Sequence, residues 1–508
     1  MKSNLKLPNK NHKRKQRKTN FYKTMQPRSP VVAILGHVDH GKTTLLDYIR
    51  KSHIAPDEHG GITQKIGAYE VETHLNDYPV SRITFIDTPG HEAFSLLRAR
   101  GAHVADIAIL VVDARDSLMP QTIESISHIK SANIPFIVAI NKMDREGADP
   151  EKIKNDLLKY EVLVEGKGGN VPVVKVSAKT GIGVKDLLET ILFIASDKKL
   201  TFDPQAAPHA YIIETKKDRR GIAVSAIIKN GMLSVGNTVF ADSQSARIRS
   251  LINDLGVQIN SVQPSQPFEI LGFKEAPSVG SLITNTSNPV KDIGTKPSES
   301  EKEEFNLASI TATPKEEKKL YLVIKSDTHG SLEAINAALS KNKNVEILLN
   351  AVGDIHKSDV FLAKTSKAIV IGFNVKPDPE TKQLSKQEKV IIKTYSIIYE
   401  LLDELTEVAD LLQEKEEQEK NLKGEAKVLA SFMIEGEKIF GVKMTKGKIA
   451  LGDELQVHRD NNLIGKTRLV SLQTRAKKVQ EVKKDQESGM VLSPPLDIRV
   501  GDVVKCIL

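Results

Sequence analysis

The 508-residue chain is poor in the residues that mark secreted, membrane or disulfide-stabilised proteins. It contains one cysteine, Cys506, and no tryptophan, and aromatic residues make up only 5% of it. A single cysteine excludes an intramolecular disulfide framework and fits a reducing compartment. No apolar run reaches the ~18 residues of a membrane span, and the charged N-terminus lacks the apolar core of a secretory signal. We therefore expect a cytoplasmic protein without a membrane anchor.

An excess of positive charge is absent from most of the chain. The net charge of +8 comes from residues 1–28, which hold ten Lys or Arg and no acid, whereas the remainder carries 63 basic and 65 acidic residues. We expect this basic arm to be disordered alone and attracted to phosphate backbones. The alternatives are a solubilising tail and an Arg/Lys-rich transit peptide.

The length exceeds what one hydrophobic core can hold, so several domains are expected. Changes in periodicity along the chain predict a multidomain α/β and β fold, in which a doubly wound P-loop domain and an α/β layer domain alternate with two β-barrels. A Ser-, Thr- and Pro-rich stretch predicts a flexible linker, and a late helical pattern predicts a long connector. The expected boundaries are 1–28 for the arm, 29–197 for the P-loop domain, 198–284 for the first β-barrel, 285–318 for the linker, 319–384 for the α/β layer domain, 385–423 for the helical connector and 424–508 for the second β-barrel.

The most informative segment reads G-H-V-D-H-G-K-T over residues 36–43 and follows the apolar run 31–35. A strand, a glycine-containing loop and a helix form a phosphate-binding loop, in which backbone N–H groups point at phosphate oxygens. Lys42 is expected to place its charge at the β- and γ-phosphates, and Thr43 to offer its hydroxyl to Mg²⁺. The predicted phosphate-loop residues are Gly36, His37, Val38, Asp39, His40, Gly41, Lys42, Thr43 and Thr44.

A second apolar strand, residues 83–86, ends in Asp87-Thr88-Pro89-Gly90. Asp87 is expected to hold Mg²⁺ through a water molecule, and the Gly90 N–H to contact the γ-phosphate. Between the two loops, Thr63 follows a pair of glycines and is the candidate residue that closes over Mg²⁺. The alternative for that segment is an ordinary flexible glycine turn.

Two further apolar strands end in short polar motifs. Because the carboxyl ends of parallel strands meet at one edge of a sheet, these motifs are expected beside the phosphate loop. Together the four motifs predict a GTP site. The predicted residues on the base side are Asn141, Lys142, Met143 and Asp144 after one strand, and Ser177, Ala178 and Lys179 after the other.

The base-side motifs select guanine. The Asp144 carboxylate can accept from the N1–H and the 2-amino group of guanine, and adenine has neither donor. Asn141 is expected to fix the loop and contact the base edge, and Lys142 to lie over the base and ribose. The Ala178 N–H is expected to meet guanine O6.

His91 follows Gly90 directly and is the predicted catalytic residue. An imidazole at this position can orient the water that attacks the γ-phosphate. The alternative is a structural or merely exposed histidine. No arginine finger is identifiable in the sequence, so we expect slow hydrolysis alone and a partner that drives His91 into place.

The nucleotide strings, from G-H-V-D-H-G-K-T through G-G-I-T-Q-K-I-G-A-Y, D-T-P-G-H-E-A-F and N-K-M-D to S-A-K-T-G-I-G, together resemble bacterial translation initiation factor 2. The resemblance continues in Lys325-Ser326-Asp327, Ile371-Gly372-Phe373-Asn374-Val375 and Tyr395-Ser396-Ile397-Ile398-Tyr399, which match that family's third domain. It covers most of residues 28–412 and weakens afterwards. Elongation factor Tu shares the nucleotide motifs but lacks the third-domain string.

The resemblance implies a ribosome-activated GTPase that uses GTP, GDP and Mg²⁺. Its GTP form would dock initiator aminoacyl-tRNA on the small ribosomal subunit and promote joining of the large subunit. The implied partners are the ribosome, initiator tRNA and other initiation factors, with no membrane partner, and the chain is expected to be a monomer. The alternatives are an elongation-type aminoacyl-tRNA carrier and a ribosome-bound, GTP-sensing scaffold that does not need turnover.

In the family that the chain resembles, the last barrel holds the formylmethionyl end of initiator tRNA with a basic-aromatic stretch and a later Glu-Cys-Gly. The matching positions here are 473–476 and 487–489, so Ser488 replaces the cysteine and the aromatic residue is absent. A solvated basic strand face is the alternative, and formyl-specific recognition stays open. The candidate contacts to the tRNA end are Arg475, Lys477, Glu487 and Gly489.

Overall fold

The computed structural model of the chain describes most residues of each predicted domain. The basic arm up to residue 24 and the predicted linker over 287–318 lie outside the described residues. The expected disorder does not extend to residues 25–28, because Gln26 and Pro27 pair with Phe202 and Thr201 and Arg28 forms a buried ion pair with Asp106. The structure divides into one unit that combines the residues up to Asn306 with Tyr321–Glu404, and a second unit that contains Leu405–Leu508. None of the helices in the described part is both long and apolar enough to cross a membrane. The described residues are 25–51, 63–75, 77–286, 319–434, 437–460, 462–475 and 477–507.

The first domain is built on a six-stranded sheet with helices on both faces. Its strands are β1 Gln26–Pro27, β2 Val31–Gly36, β3 Gly67–Glu72, β4 Arg82–Asp87, β5 Ile107–Asp113, β6 Phe136–Asn141, β7 Val173–Lys175 and β8 Thr201–Phe202. Its helices are α1 Lys42–Arg50, α2 Ser95–Val104, α3 Pro120–Ala132, α4 Pro150–Leu158 and α5 Val184–Asp197. The sheet order is β3-β4-β2-β5-β6-β7, and only β3 runs antiparallel, while β1 and β8 pair separately.

The central strands of this sheet are apolar because both of their faces are covered. Val32 and Ile34 of β2 pack in one core with Leu45 of α1, and Ala33 and Leu35 pack in the opposite core with residues of α3 and α4. Continuous apolar runs are what parallel strands buried on both sides require. The loops at the carboxyl ends of β2, β4, β6 and β7 therefore project from a rigid base.

The second domain is an antiparallel β domain around a single core. Its longest sheet has the order β15-β14-β17-β10-β9-β18, and two further two-stranded antiparallel sheets, β11–β16 and β12–β13, complete it. The inward residues of β10, Val224, Ala226 and Ile228, are fully buried in that core. Its strands are β9 His209–Asp218, β10 Gly221–Asn230, β11 Leu233–Ser234, β12 Thr238–Ala241, β13 Gln244–Arg247, β14 Ser250–Asn253, β15 Gln258–Ile259, β16 Ser261–Val262, β17 Pro267–Leu271 and β18 Leu282–Ile283.

A buried ion cluster joins the second domain to the first. The Asp106 carboxylate accepts two hydrogen bonds from Arg28, at 2.6 and 2.7 Å, one from Lys229 at 2.7 Å and one from the Val31 N–H at 2.9 Å. Burial acts to raise the pKa of Asp106, but its cationic partners outweigh burial and hold that pKa well below the usual range. Asp106 is therefore a charged anchor between the two domains.

The third domain is an α/β layer with the sheet order β20-β19-β21-β22. Strands β19, β21 and β22 run parallel. Its strands are β19 Leu320–Ser326, β20 Val345–Val352, β21 Ile369–Phe373 and β22 Ile392–Tyr395, and its helices are α6 His329–Leu339, α7 Lys357–Ser366 and α8 Pro379–Gln387.

The predicted start of the helical connector at residue 385 is wrong. Helix α8 ends at Gln387, β22 follows and completes the third sheet, and the long helix α9 spans Ile398–Lys420. The reason lies in residues 390–392, because a Val-Ile-Ile run favours an extended backbone over a helix. The third domain therefore extends about ten residues beyond its predicted end.

The second unit contains an antiparallel β-barrel. Six strands follow each other in the order β23-β30-β25-β26-β29-β24, and a pairing between β23 and β24 closes the ring. Val428, Phe440, Val442 and Met490 are among the buried residues inside it. The multidomain α/β and β fold class predicted from the sequence is confirmed. The strands are β23 Leu422–Ile434, β24 Glu437–Ala450, β25 Glu454–Arg459, β26 Asn462–Thr474, β27 Lys477–Lys478, β28 Glu481–Lys483, β29 Glu487–Ser493 and β30 Val503–Ile507.

Candidate functional site

One cleft collects the loops that follow β2, β4 and β6. All of its lining residues except Arg145 are among those predicted from the sequence. The remaining predicted residues of the nucleotide site lie beneath or beside this cleft. The lining residues are Val38, Asp39, Gly41, Lys42, Thr43, Thr44, Thr63, Gly90, His91, Lys142 and Arg145.

The loop from Gly36 to Thr43 curls around two glycines that no other residue can replace without strain. Gly36 has φ 145° and Gly41 has φ 86°. A Cβ atom at Gly36 would lie 2.4 Å from the Val111 carbonyl oxygen, and one at Gly41 would lie 2.5 Å from the Asn141 side-chain nitrogen. Both glycines are therefore required by conformation and by space.

Lys42 extends along the inside of this loop. Its Nζ donates to the His37 carbonyl oxygen at 2.6 Å. Burial lowers the pKa of Lys42 to about 8, although the charge of Asp87 opposes that shift. A Cβ atom at Gly90 would come within 2.5 Å of Lys42 Nζ, so the two phosphate-side loops touch each other.

The two histidines of the loop do not line the cleft. His40 is almost completely buried, and its Nδ1 lies 3.4 Å from the Val111 carbonyl oxygen. Burial and the neighbouring His37 lower the pKa of His40 to about 3, so its ring is neutral at physiological pH. The ring centroids of His37 and His40 are 5.1 Å apart. These side chains support the loop from behind.

Hydroxyl oxygens from two segments meet at one end of the cleft, and a carboxylate lies at the end of β4. The hydroxyl oxygens of Thr43 and Thr63 are 2.5 Å apart. Asp87 is buried at the end of β4, next to the loop that contains Gly90. Two hydroxyls and a carboxylate are hard oxygen donors, the type that Mg²⁺ prefers. The donor set therefore fits a magnesium ion.

The loop after β4 is held from below by a completely buried arginine that the sequence reasoning missed. Arg98 of α2 donates to the carbonyl oxygens of Pro89, at 3.0 Å, and His91, at 2.5 Å, and to Glu124 at 2.7 Å. Thr88 donates from its hydroxyl to the Ile34 carbonyl oxygen at 2.7 Å. The backbone on both sides of Gly90 is thereby fixed.

The Arg98 guanidinium and the Glu124 carboxylate form the ion pair under that loop. Burial acts to raise the pKa of Glu124, but hydrogen bonds from His128 and Ser95 and the charge of Arg98 outweigh it and lower that pKa to about 2. Burial lowers the pKa of Arg98, and Glu124 opposes the shift. A signal for Arg98 was present in the sequence, because it falls on the face of α2 that Leu97 and Ala102 bury.

The His91 imidazole is held on two sides. Its Nδ1 accepts a hydrogen bond from the Ala93 N–H at 2.8 Å, and the ring of Tyr399 lies against it with 4.1 Å between ring centroids. Burial, and then the charge of Arg98, lower the pKa of His91 below its ordinary value. The imidazole is therefore neutral at physiological pH.

Asn141 ties the phosphate side of the cleft to the base side. Its side-chain nitrogen donates to the His40 carbonyl oxygen, and its side-chain oxygen accepts from the Ala178 N–H, both at 2.9 Å. The contact of the Ala178 N–H with guanine O6 stays a prediction. It requires the Ala178 N–H to share its hydrogen bond to Asn141 with the base or to exchange it. Lys142 Nζ lies 2.7 Å from the carboxylate of Asp113, a second residue that the sequence reasoning missed.

Asp144 lies at the surface with one oxygen already used. Its Oδ1 accepts from the Ser177 hydroxyl at 2.7 Å, and this hydrogen bond holds the pKa of Asp144 below its usual value. The backbone of Met143 donates to Val176, which keeps the motif beside β7. Lys179 is exposed near Asp144. The carboxylate is therefore ionised, and its second oxygen faces the surface.

The four candidate residues of the second barrel lie at the end of β26 and on the two strands, β27 and β29, that pair with it there. Gln473 of β26 pairs with Gly489 of β29, and Thr474 pairs with Lys477 of β27. The pairing of β26 with β29 ends at Gln473 and Gly489, and Arg475 lies in the turn between β26 and β27 with φ 49°. Arg475, Lys477 and Glu487 are exposed.

Ser488, in contrast, faces the inside of the barrel. It is 7% exposed, and its hydroxyl has no hydrogen-bond partner among the described residues. Strand alternation turns Glu487 and Gly489 outward on either side of it. The exchange of cysteine for serine at this position therefore changes the barrel interior and not the outer surface.

Comparisons with known protein families match three regions in chain order. The profile of the Elongation factor Tu GTP binding domain matches residues 27–197, that of Elongation factor G domain 2 matches residues 207–286, and that of Translation-initiation factor 2 matches residues 296–406. The matched regions contain most of the α/β domain and all the strands of the first β domain and of the third domain.

Individual relatives extend the similarity to nearly the whole chain. Translation initiation factor IF-2 of Aquifex aeolicus is 41% identical over 497 residues, which are 95% of this chain and 61% of that protein. The protein of the same name from Caldanaerobacter subterraneus is 40% identical over 498 residues, which are 95% of this chain and 70% of that protein. The chain spans about 60% of the length of the Aquifex and Carboxydothermus relatives. The solved structure of GDP-bound aIF5B from Aeropyrum pernix is 27% identical, with a TM-score of 0.45, and the match covers 95% of this chain and 92% of that one.

Proposed function

The chain belongs to the translation initiation factor IF-2 family, and from this membership we propose that it is a GTP-dependent initiation factor of the cytoplasm. It places initiator aminoacyl-tRNA on the small ribosomal subunit and promotes joining of the large subunit. It hydrolyses GTP to GDP and phosphate when the ribosome activates it. One observation carries the proposal: the family profile of Translation-initiation factor 2 matches residues 296–406. Elongation factor Tu lacks this region.

The phosphates of the nucleotide bind in the loop over residues 36–44. Lys42 exchanges its hydrogen bond to the His37 carbonyl for one to the β- and γ-phosphates. Val38, Asp39 and Gly41 line the cleft. The Val38 N–H donates to Gln121 Oε1 at 3.1 Å and exchanges that bond for one to a phosphate oxygen. The Gly90 N–H donates a hydrogen bond to the γ-phosphate, because Gly90 lies against Lys42 and Val38.

Guanine binds between Lys142 and the loop over residues 177–179. Asp144 keeps one oxygen on Ser177 and uses the other to accept from the N1–H and 2-amino groups of guanine. Asn141 holds the two halves of the site at a fixed spacing through its hydrogen bonds to His40 and Ala178. Asp113 keeps the Lys142 ammonium in place over the base.

Thr43 and Thr63 would hold the magnesium ion through their hydroxyls, and Asp87 would hold it through a water molecule. The 2.5 Å separation of the two hydroxyl oxygens and the hard character of the donor set support this assignment. When bound, the ion neutralises charge on the β- and γ-phosphates. Thr63 belongs to the segment that changes when the γ-phosphate leaves.

His91 orients the attacking water. The imidazole is neutral, and it lines the same cleft as Lys42 and Gly90. Because Nδ1 accepts from the Ala93 N–H, Nε2 carries the proton in the present arrangement. His91 can therefore donate to a water molecule but cannot take a proton from it until the Ala93 hydrogen bond opens. Ribosome binding supplies that rearrangement.

The second barrel holds the aminoacylated end of initiator tRNA. Arg475 and Lys477 are exposed cations that attract the terminal phosphates, and Glu487 and Gly489 lie beside them on the outer face. The buried position of Ser488 supports recognition that does not depend on a sulfur contact at the surface. Other initiation factors join this complex, and the chain acts as a monomer.

The proposal is tested in a reconstituted initiation reaction with the full chain. We expect GTP-dependent retention of initiator tRNA on the small subunit, faster subunit joining and ribosome-stimulated release of phosphate. Lys42→Ala should abolish all three, whereas Asp156→Asn, which changes a surface carboxylate outside the cleft, should abolish none. A preference for elongator tRNA would favour the carrier alternative. Full initiation cycles by His91→Ala would favour the scaffold that needs no turnover.

A further inference from the structure

The predicted catalytic residue is covered by an aromatic ring from another domain. Tyr399 belongs to the first turn of α9, and its ring centroid lies 4.1 Å from that of His91, with an angle of 55° between the ring planes. Tyr399 is 39% exposed, so the ring is not a core residue that packing alone would require. It rests on the imidazole, which lines the nucleotide cleft.

The other contacts of His91 hold it in the same orientation. The Ala93 N–H donates to Nδ1, Arg98 holds the carbonyl oxygen, and Phe94 approaches the imidazole edge-on at 6.0 Å. The hydrogen bond at Nδ1 aims that nitrogen at the protein's own backbone. An imidazole held in this way has only Nε2 available to a water molecule.

The tyrosine is itself fixed by a residue next to the predicted magnesium ligand. The buried side chain of Gln64 donates to the Ser396 carbonyl oxygen at 2.9 Å and accepts from the Ile398 N–H at 3.0 Å. These two hydrogen bonds clamp the start of α9. Gln64 follows Thr63 directly, so the position of Tyr399 depends on the same loop that closes over Thr43.

We propose that Tyr399 is a positioning residue that holds the His91 imidazole in a resting orientation, and that Gln64 keeps Tyr399 there. This inference rests on the proposed GTPase function, and it adds a contact that delays GTP hydrolysis after GTP has bound. When Thr63 lies against Thr43, the same loop closes over the bound nucleotide and, through Gln64 and Tyr399, restrains the His91 imidazole. GTP hydrolysis is therefore slow until the first turn of α9 moves away from His91.

The test compares single-turnover GTP hydrolysis without ribosomes for the wild-type chain and three variants. Tyr399→Ala should raise the rate by roughly two- to tenfold, the range that one aromatic contact supplies. Tyr399→Phe retains the ring and should restore the wild-type rate. Tyr160→Ala is the matched control, because Tyr160 is 37% exposed and lies outside the cleft. A Tyr399→Ala rate equal to or below that of the wild type overturns the proposal.

The acceleration must act through His91. In the His91→Ala background, Tyr399→Ala should have no effect on the rate, and an equal acceleration there would contradict the proposed route. Gln64→Ala should accelerate hydrolysis in the same direction, and the double variant Gln64→Ala, Tyr399→Ala should be no faster than the faster single variant. Additive effects would mean that the clamp and the ring act separately.

Nuclear magnetic resonance supplies a readout that does not depend on turnover. The His91 ring protons should show a ring-current shift in the wild type and in Tyr399→Phe, and should lose it in Tyr399→Ala. If the wild type hydrolyses GTP with ribosomes but the variants have the wild-type rate without ribosomes, this inference is wrong and the proposed function stands. If the wild type does not hydrolyse GTP even with ribosomes, the proposed function falls as well.

Discussion

The hydroxyl oxygens of Thr43 and Thr63 lie 2.5 Å apart, although twenty positions separate the two residues along the chain. Neighbouring oxygen ligands of an octahedral Mg²⁺ ion, each about 2.1 Å from the metal, are about 3 Å apart. The two hydroxyls are therefore close to ligand spacing, and a bound ion needs to separate them only slightly.

Replacing Thr63 by alanine should separate the effects of GTP and GDP. At limiting Mg²⁺ we expect GTP affinity to fall about tenfold, a usual cost for weakening a metal site, while GDP affinity changes little. The reason is that Thr63 closes only when the γ-phosphate is present. Titration of fluorescent nucleotides at several Mg²⁺ concentrations measures this, with Thr63→Ser as the control. An equal loss for GDP would contradict the assignment.

Replacing Asp144 by asparagine should change the preferred base. The remaining side-chain oxygen is the one that Ser177 uses, and an amide donor would face the donors of guanine. We expect guanine nucleotide affinity to fall on the order of 100-fold and xanthine nucleotide affinity to rise. Asp156→Asn is the matched control, because Asp156 also accepts from a serine hydroxyl at 2.7 Å. Unchanged guanine affinity in a nucleotide titration would sink the assignment.

The pKa of Lys42, lowered to about 8, predicts a pH dependence of nucleotide binding. Phosphates bind the charged form, which is about nine-tenths of the lysine at pH 7 and about a quarter at pH 8.5, so affinity should fall about fourfold over that interval. Lys42→Arg keeps its charge over the same interval and should show no such slope, whatever its absolute affinity. A wild-type affinity that rises with pH would have the wrong sign.

Replacing Asp106 by asparagine should destabilise the first unit, because it leaves Arg28 and Lys229 without their shared anion. We expect a loss of about 3 kcal/mol in the free energy of unfolding, as for other broken buried ion pairs. Asp218→Asn, which removes an exposed partner of Arg220, should cause little change. Urea denaturation of the full chain, followed through the first unit, measures both.

The same carboxylate predicts the acid sensitivity of that unit. The pKa of folded Asp106 lies below its ordinary value of 3.8, so its stabilisation is complete above about pH 4 and is lost as the pH falls toward the folded pKa. The Asp106→Asn variant should lack this part of the acid dependence. Parallel curves for wild type and variant below pH 4 would show that Asp106 is not the responsible group.

The double variant Arg475→Ala, Lys477→Ala should weaken protection of initiator tRNA from deacylation. Because both residues are exposed cations, we expect the slope of log affinity against log salt concentration to become shallower by about one for each charge removed. Lys466→Ala, on β26 away from Gly489, is the control. Comparing formylated with unformylated methionyl ends in the full chain then measures formyl specificity, and equal protection would remove it from the proposal.

The nucleotide loops could be predicted because each is a short motif at the end of an apolar strand, so local sequence fixes both its position and its chemistry. The contacts of Arg98, Gln64 and Tyr399 could not. Gln64 and Ile398 are 334 positions apart, and their hydrogen bond depends on how two domains pack. No local pattern of sequence carries that information.

Two other differences have physical causes. Strand β22 was assigned to a helix, because a four-residue strand gives a weaker signal than the long helical pattern that follows it. The sequence shows that Ser488 replaces the family's cysteine but not which way its side chain points, because that depends on the register of β29 against β24, which pairs it with Val442. One step of register would have turned the side chain outward.

In the second unit, the pairing of β23 with β24 closes the ring of six strands, and each of these strands has a hydrogen-bonded neighbour on both sides among the described residues. The ring itself therefore has no edge strand, and the strands with a single neighbour in this sheet, β27 and β28, are only two and three residues long. Closure of the ring thus limits aggregation by edge-to-edge strand pairing to these short strands.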